Sequence, residues 1–235
     1  MTAEILYGDY FLFGDEANVG YLRKCLPDWE FVLTDISKTP YFAENEPDLI
    51  YMGGMSESSQ LRVIDALTPF KDRLCRVTDG GTHILFTSNA CDILGNYIQN
   101  GDTRIKALGI FDFHVEADMM KRFNGMTLGE YGNIEIVGYL SQFGRAYPEE
   151  GEREFFLPVT RGSGLNSSCK FEGFKRNNFI ATYLIGPFLV LNPKFTKMWL
   201  SEITDSEIAL PFEEEAMRVY EQRLREFKDP NRKIC

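Results

Sequence analysis

The sequence predicts an α/β fold built around a mostly parallel sheet. In the first half of the chain, short apolar runs alternate with helical patterns, which is typical of parallel strands joined by crossover helices. The runs 48–52 and 83–87 are almost wholly apolar, as expected of strands that are buried on both faces. The 235 residues are 44% hydrophobic and 26% charged, which indicates a globular protein with a substantial core.

The first half supplies the predicted parallel strands, which are 5–10, 30–35, 48–52 and 83–87. Helices are predicted over 19–25, where Pro27 follows, and over 56–74. A further helix is expected to begin at Ser88-Asn89 and to end near Gly95. Right-handed crossovers should connect the parallel strands.

The second half changes character, because strand-like segments follow one another without strong helices between them. These segments are 108–114, 134–140, 155–159 and a last strand at 179–184. We interpret them as an antiparallel extension of the sheet. Helices are predicted over 193–201 and 212–227, and the tail 229–235 is expected to be frayed. Residues 1–205 would form the main domain, and 206–235 would be a helix and tail that belong to it or serve as a docking element.

Charge and cysteine usage exclude several classes of function. The net charge of −10 argues against a nucleic-acid surface. Five scattered cysteines and a start without a basic signal region predict a reducing, cytoplasmic setting. The longest apolar run is too short to span a bilayer. With two histidines far apart in sequence, neither a zinc site nor another bound metal is expected.

The turn after the strand 83–87 is the most informative place for chemistry. A buried strand delivers Ser88 to the start of a helix, as in the nucleophile elbow of hydrolases. The run Phe86-Thr87-Ser88-Asn89-Ala90 contains no glycine, however, and Ser88 is also a good helix N-cap.

Two glycine-containing segments are the next candidates. Gly53-Gly54 follows a buried strand and would let backbone amides approach a ligand, or would simply form a tight turn. The segment 14–18 is a ligand loop or an Asx-type cap of the next helix. Neither a Walker A motif nor a G-x-G-x-x-G motif is present.

Several segments together are similar to class I glutamine amidotransferase domains of the cobyric acid synthase type, in particular to the amidotransferase subunit of lipid II isoglutaminyl synthase. They span roughly residues 5–200 in matching order. The segments are Gly14-Asp15-Glu16-Ala17-Asn18-Val19, 48–54, 93–95, 107–112, 143–145, Thr182-Tyr183-Leu184, Gly186-Pro187 and Asn192-Pro193. The resemblance implies a three-layer, flavodoxin-like sheet with an antiparallel extension, and no cofactor.

In that family a cysteine in an L-A-x-C-G-G-Y-Q-L-L-G run attacks the glutamine amide, and a histidine in a Y-L-H-G-P run is its base. Here the resemblance puts Ser88 at the cysteine and Ile185 at the histidine. It also puts Gly53-Gly54 at the oxyanion-hole strand end, Asn89 at a glycine, and Arg122 near the arginine that holds the substrate carboxylate, so these four are the predicted ligand-binding residues.

Three functional hypotheses follow. The first is an amidotransferase-like protein without glutaminase activity, which binds a Mur-ligase-like or other synthetase subunit or a small amino acid or amide. The second is an active enzyme of the same fold that uses Ser88 or Cys91 with His114 as base. The third is an unrelated flavodoxin-like or nucleotide-binding module with its ligand at the carboxyl ends of the strands.

Overall fold

The parallel half of the sheet is formed as the sequence predicts. The computed structural model describes residues 1–12, 14–151 and 154–232. Five parallel strands lie in the order β2-β1-β3-β4-β13. Their bounds are β1 (Thr2–Leu6), β2 (Glu30–Thr34), β3 (Leu49–Met52), β4 (His83–Thr87) and β13 (Phe179–Thr182). Every residue of β3, β4 and β13 is buried, because layers cover both faces of a parallel sheet.

Antiparallel strands extend this sheet to nine strands. The added strands are β12 (Phe171–Arg176), β11 (Phe155–Gly162), β8 (Phe123–Tyr131) and β9 (Ile134–Gln142), in that order after β13. A second sheet has the order β10-β7-β5-β6, with β10 (Gly144–Pro148), β7 (Phe113–Ala117), β5 (Tyr97–Asn100) and β6 (Thr103–Lys106). The predicted antiparallel extension is therefore confirmed.

Several predicted boundaries are wrong for identifiable reasons. The strand predicted over 5–10 ends at Leu6, because Tyr7 has a left-handed φ of 57° and a short 3₁₀ turn follows. The strand predicted over 108–114 begins only at Phe113. Residues before it run along the segment after β4 instead, where the Ile110 amide donates to the Leu94 carbonyl at 2.7 Å.

Three helices lie in the first half of the chain, between the parallel strands, and three follow β13. They are α1 (Asp15–Cys25), α2 (Glu57–Leu67), α3 (Lys71–Asp79), α4 (Phe188–Leu191), α5 (Pro193–Thr204) and α6 (Glu213–Lys228). The helix predicted over 56–74 is two helices, because Pro69 lies in a 3₁₀ turn between them. The helix predicted after Ser88 is a buried 3₁₀ segment, Ser88–Leu94.

The C-terminal helix α6 packs on β8 and β9. Tyr220, Leu224 and Phe227 form an apolar cluster with Leu128 and Val137, and the Tyr220 hydroxyl donates to the Glu135 carbonyl at 2.6 Å. The chain after the helix is held by the Arg161 guanidinium, which donates to the carbonyl oxygens of Asp229 and Arg232 at 2.7 and 2.9 Å. The expected fraying is therefore wrong up to Arg232, and the remaining residues, 233–235, lie outside the described residues.

Candidate functional site

Ser88 lies on a strained turn directly after β4. Its φ is 58°, a left-handed value that is costly for a residue with a Cβ. The preceding Thr87 is still extended and is the N-cap of the segment, with no side-chain cap hydrogen bond. The N-cap interpretation of Ser88 is therefore wrong, and the backbone has the geometry of a nucleophile elbow.

Gly53-Gly54 lies against this turn. A Cβ built on Gly54 would lie 2.7 Å from Ser88 Oγ, and one on Gly53 would lie 2.4 Å from the Asp15 Cβ. Neither glycine has a positive φ, so close packing rather than a special turn requires glycine at these positions. The structure thus brings Ser88 and Gly54 together.

Backbone amides at this point already have acceptors within the protein. The Gly54 N–H donates to Asp15 Oδ2 at 2.8 Å, and the Met55 N–H donates to Asn89 Oδ1 at 2.9 Å. Asn89 Nδ2 in turn donates to the Met55 carbonyl at 2.6 Å. Asn89, a predicted ligand-binding residue, therefore ties the segment after β4 to the loop after β3. An oxyanion at Gly54 would have to compete with the Asp15 carboxylate.

Asp15 joins the carboxyl ends of β3 and β4 to α1. Its Oδ1 accepts hydrogen bonds from the hydroxyls of Tyr51 and Thr87, each at 2.7 Å. Burial raises the pKa of Asp15, while the hydrogen bonds from Thr87, Tyr51, Gly54 and Asn18 oppose that shift. Asp15 is the first residue of α1 and Gly14 is the N-cap, so the predicted Asx-type cap is replaced by a buried network.

We expect the Gly53→Ala substitution to destabilise the protein by about 1–3 kcal/mol, because the new methyl group overlaps the Asp15 Cβ. Urea unfolding followed by circular dichroism measures the change. Gly20→Ala is the matched control, since a Cβ there meets nothing within 4 Å and Gly20 lies inside α1. That control should be neutral or stabilising, and equal losses in both variants would contradict the close approach.

Ile185 lies three residues after β13, the strand that pairs with β4 and therefore neighbours Ser88. Thr182 pairs with Thr87, so position 185 lies three residues beyond the strand end that neighbours Ser88. Its backbone forms a bridge to β9, in which the Ile185 N–H donates to the Tyr139 carbonyl at 2.9 Å. An aliphatic side chain at this position has no proton acceptor.

Arg122 lies in the loop before β8 and is exposed. Its guanidinium carbon lies 4.2 Å from the centroid of the Phe143 ring, and Nη1 lies 3.3 Å from the Ser141 hydroxyl oxygen. This predicted carboxylate-binding residue is therefore held over the loop that joins β9 and β10.

Cys91 and His114 contact different partners. Burial raises the pKa of Cys91 well above its usual value, which keeps the thiol protonated and inert, and its Sγ lies 3.7 Å from the Phe86 carbonyl oxygen. The His114 ring is stacked on Tyr97 in the second sheet, and its Nδ1 lies 2.7 Å from Glu149 Oε1. Neither contact prepares a nucleophile–base pair.

Sequence reasoning missed a buried acid, Asp92, four residues after Ser88. Asp92 is 4% exposed, and burial raises its pKa to about 7. A second missed acid, Glu172 on β12, also has its pKa raised by burial to about 7, and accepts from the Thr182 hydroxyl at 2.8 Å. The signal for Asp92 is one charged residue inside the otherwise apolar run 90–94.

Metal and membrane features are absent from the part of the chain that the structure describes. Among residues 1–12, 14–151 and 154–232, no three His, Cys, Asp or Glu side chains cluster as metal ligands do. Within the same ranges, no helix is both long and apolar enough to cross a membrane.

Comparison with known proteins decides the family. The CobB/CobQ-like glutamine amidotransferase domain matches residues 13–193. The chain belongs to this family. A curated protein, the GatD subunit of lipid II isoglutaminyl synthase (glutamine-hydrolyzing) from Staphylococcus aureus (strain N315), is 29% identical over 182 residues, which are 77% of this chain and 73% of GatD. The resemblance stated from the sequence is therefore confirmed.

Solved glutamine amidotransferase structures share the fold. One from Thermotoga maritima aligns with a TM-score of 0.50 at 11% identity, covering 97% of this chain and 92% of its own. Another glutamine amidotransferase aligns with a TM-score of 0.50 at 12% identity, covering 86% of this chain and 98% of its own. At such identities the likeness concerns the fold, and confirms the predicted α/β architecture.

Proposed function

We propose that this chain is a CobB/CobQ-like amidotransferase subunit that has lost glutamine hydrolysis and acts through a partner subunit. The observation that carries this proposal is the residue at position 185. An isoleucine follows the strand beside Ser88, at the position to which the family resemblance assigns the histidine base. A serine hydroxyl without a base is a poor nucleophile at neutral pH.

The geometry around Ser88 supports the same conclusion. The Gly54 amide donates to Asp15. The Asn89 side chain accepts from the Met55 amide and donates to the Met55 carbonyl. Transition-state stabilisation needs donors that point to the developing oxyanion. Here the Gly54 and Met55 amides donate to side chains of this chain and hold the loops after β3 and β4 together. This supports a scaffold role for positions that the family resemblance assigns to the oxyanion hole.

The partner we propose is a synthetase subunit of the Mur-ligase type. The similar GatD protein is itself a subunit of a glutamine-hydrolysing synthase. The acidic net charge of −10 favours a basic protein surface over nucleic acid as partner. The four described cysteines are unpaired, which supports the cytoplasmic setting that the sequence predicts.

The lack of an activated nucleophile can be tested with a diazoketone analogue of glutamine, which alkylates activated amidotransferase nucleophiles. We expect the intact mass of this chain to stay unchanged after incubation, because Ser88 has no base. A relative that carries the cysteine and histidine is the positive control and should gain one adduct. An adduct mapped by peptide mass spectrometry to Ser88 or Cys91 would contradict the proposal and favour the active-enzyme hypothesis.

A further inference from the structure

A cavity of about 400 Å³ lies between α1 and the strand pair β1–β2, and it continues past the carboxyl ends of both strands. Its volume lies within the roughly 300–1,000 Å³ of small-molecule sites. Ligands of open α/β sheets commonly bind outside the carboxyl ends of the strands. Neither Ser88 nor Gly53-Gly54 lines this cavity, so it is separate from the candidate site described above.

Three residues of α1 line the cavity from one face of that helix. They are Glu16, Val19 and Arg23, whose spacing of three and four residues places them on the same side. Glu16 and Arg23 are seven residues apart, which corresponds to roughly 10 Å along the axis at about 1.5 Å per residue. The helical wall of the cavity therefore has an acid at one end, a base at the other and an aliphatic side chain between them.

The end of the cavity near the start of α1 is negative. Asp9 follows β1 and Glu16 lies in the first turn of α1, and both line the cavity. Within the described residues, neither side chain forms a hydrogen bond or an ion pair. Lys38 and Asp35 also line the cavity, but they are paired with each other at 2.8 Å. Two carboxylates thus remain for a ligand, and an ammonium group is the donor that suits them.

Arg23 supplies the opposite charge in the last turn of α1. Its guanidinium carbon lies 4.7 Å from the centroid of the Phe31 ring, and in the described part of the chain its side chain has no hydrogen bond and no ion pair. A guanidinium that lies over an aromatic ring keeps its in-plane N–H donors available, and their geometry matches a carboxylate. A carboxylate is therefore the ligand group that suits this end.

The floor between the two ends is aliphatic. Ile5 of β1 pairs in register with Leu33 of β2, and both side chains line the cavity. Leu33 is 59% exposed, although an apolar side chain is stabilised when it leaves water. A hydrocarbon chain that lies over Ile5 and Leu33 would bury this surface.

We propose that this cavity binds an extended aliphatic zwitterion, an ω-amino carboxylate. Its carboxylate accepts from Arg23, and its ammonium group donates to Asp9 and Glu16. Its carbon chain lies over Ile5 and Leu33. The proposal goes beyond the loss of glutamine hydrolysis and does not depend on it.

Isothermal titration calorimetry of the full chain with 6-aminohexanoate at neutral pH tests the proposal. Low ionic strength is used because salt screens exposed charges. We expect saturable one-to-one binding. Hexanoate lacks the ammonium group and hexylamine lacks the carboxylate, so each should bind about fivefold more weakly. No saturable heat with 6-aminohexanoate, or equal binding of either analogue, would overturn the proposal.

Variants assign each charge of the ligand to one end of the cavity. Arg23→Gln should bind 6-aminohexanoate no more tightly than hexylamine, and Asp9→Asn/Glu16→Gln should bind it no more tightly than hexanoate. All three side chains are exposed, so these substitutions should leave the fold intact. The matched control is Lys24→Gln, which removes an exposed charge beside Arg23 that does not line the cavity, and it should keep both preferences. Native preferences in Arg23→Gln, or equal losses in Arg23→Gln and Lys24→Gln, would overturn the assignment.

Discussion

Replacing Asp15 by alanine is expected to lower the free energy of unfolding by about 3 kcal/mol, because it removes the shared acceptor of one buried network. The Tyr51 and Thr87 hydroxyls and the Gly54 amide all donate to this carboxylate. Without it, the Gly54 amide loses its acceptor at the point where β3, β4 and α1 meet. Urea denaturation at neutral pH, analysed for midpoint and slope, measures the loss.

The adjacent Glu16→Ala variant is the matched control for Asp15→Ala. Glu16 is exposed in the first turn of the same helix, so its removal should cost about 0.5 kcal/mol through the helix dipole. Asp15→Asn retains one oxygen acceptor and should fall between the two. If Asp15→Ala and Glu16→Ala lose the same stability, the network does not hold the strand ends together.

Stability is expected to fall as the pH rises from about 4 to about 8. Burial raises the pKa values of Asp92 and Glu172 to about 7, while both acids in the unfolded chain titrate near 4. The folded state therefore binds more protons in this window, and its stability is lost as the pH rises through the folded pKa values. At about 1.4 kcal/mol per unit, the Asp92 shift alone amounts to on the order of 4 kcal/mol.

Unfolding free energies of native protein and Asp92→Asn at pH 5 and pH 8 test this expectation. The variant should be more stable than the native chain at pH 8 and closer to it at pH 5, because the amide carries no charge to bury. Asp35→Asn provides a control of opposite sign, since hydrogen bonds from Lys38 and Ser37 lower the pKa of Asp35 to about 2. If the unfolding free energy of Asp92→Asn changed with pH as that of the native protein does, the claim that ionisation of buried Asp92 destabilises the fold would be contradicted.

The parallel half of the fold could be predicted because its central strands are visible in the sequence as short apolar runs. The segments 49–52 and 84–86 are continuous apolar runs, and each lies in a strand that has neighbours on both sides in the sheet. The second sheet could not be predicted in the same way, since its strands have only four or five residues and at most two buried positions each. The segment 108–111 shows the limit, because its amides donate to the carbonyls of residues 93–95 rather than to a strand.

The candidate site could be predicted in its position but not in its hydrogen bonds. Strand ends in a parallel sheet meet at one edge, and the residues that follow β3 and β4 accordingly lie together, with Gly54 packed against Ser88. The roles of Asp15 and Asn89 depend on partners 72 and 34 residues away in sequence. No local pattern reports such pairs. Asp92 was missed because its burial is a property of the folded chain only.

The most direct test of the central claim is the release of glutamate from glutamine by the native chain. We predict a rate equal to that of buffer, because Ser88 lacks a base, and a measurable rate in the Ser88→Cys/Ile185→His double variant, which replaces the missing thiol and imidazole. Glutamate release by the native chain that saturates with glutamine and disappears in Ser88→Ala would contradict the account.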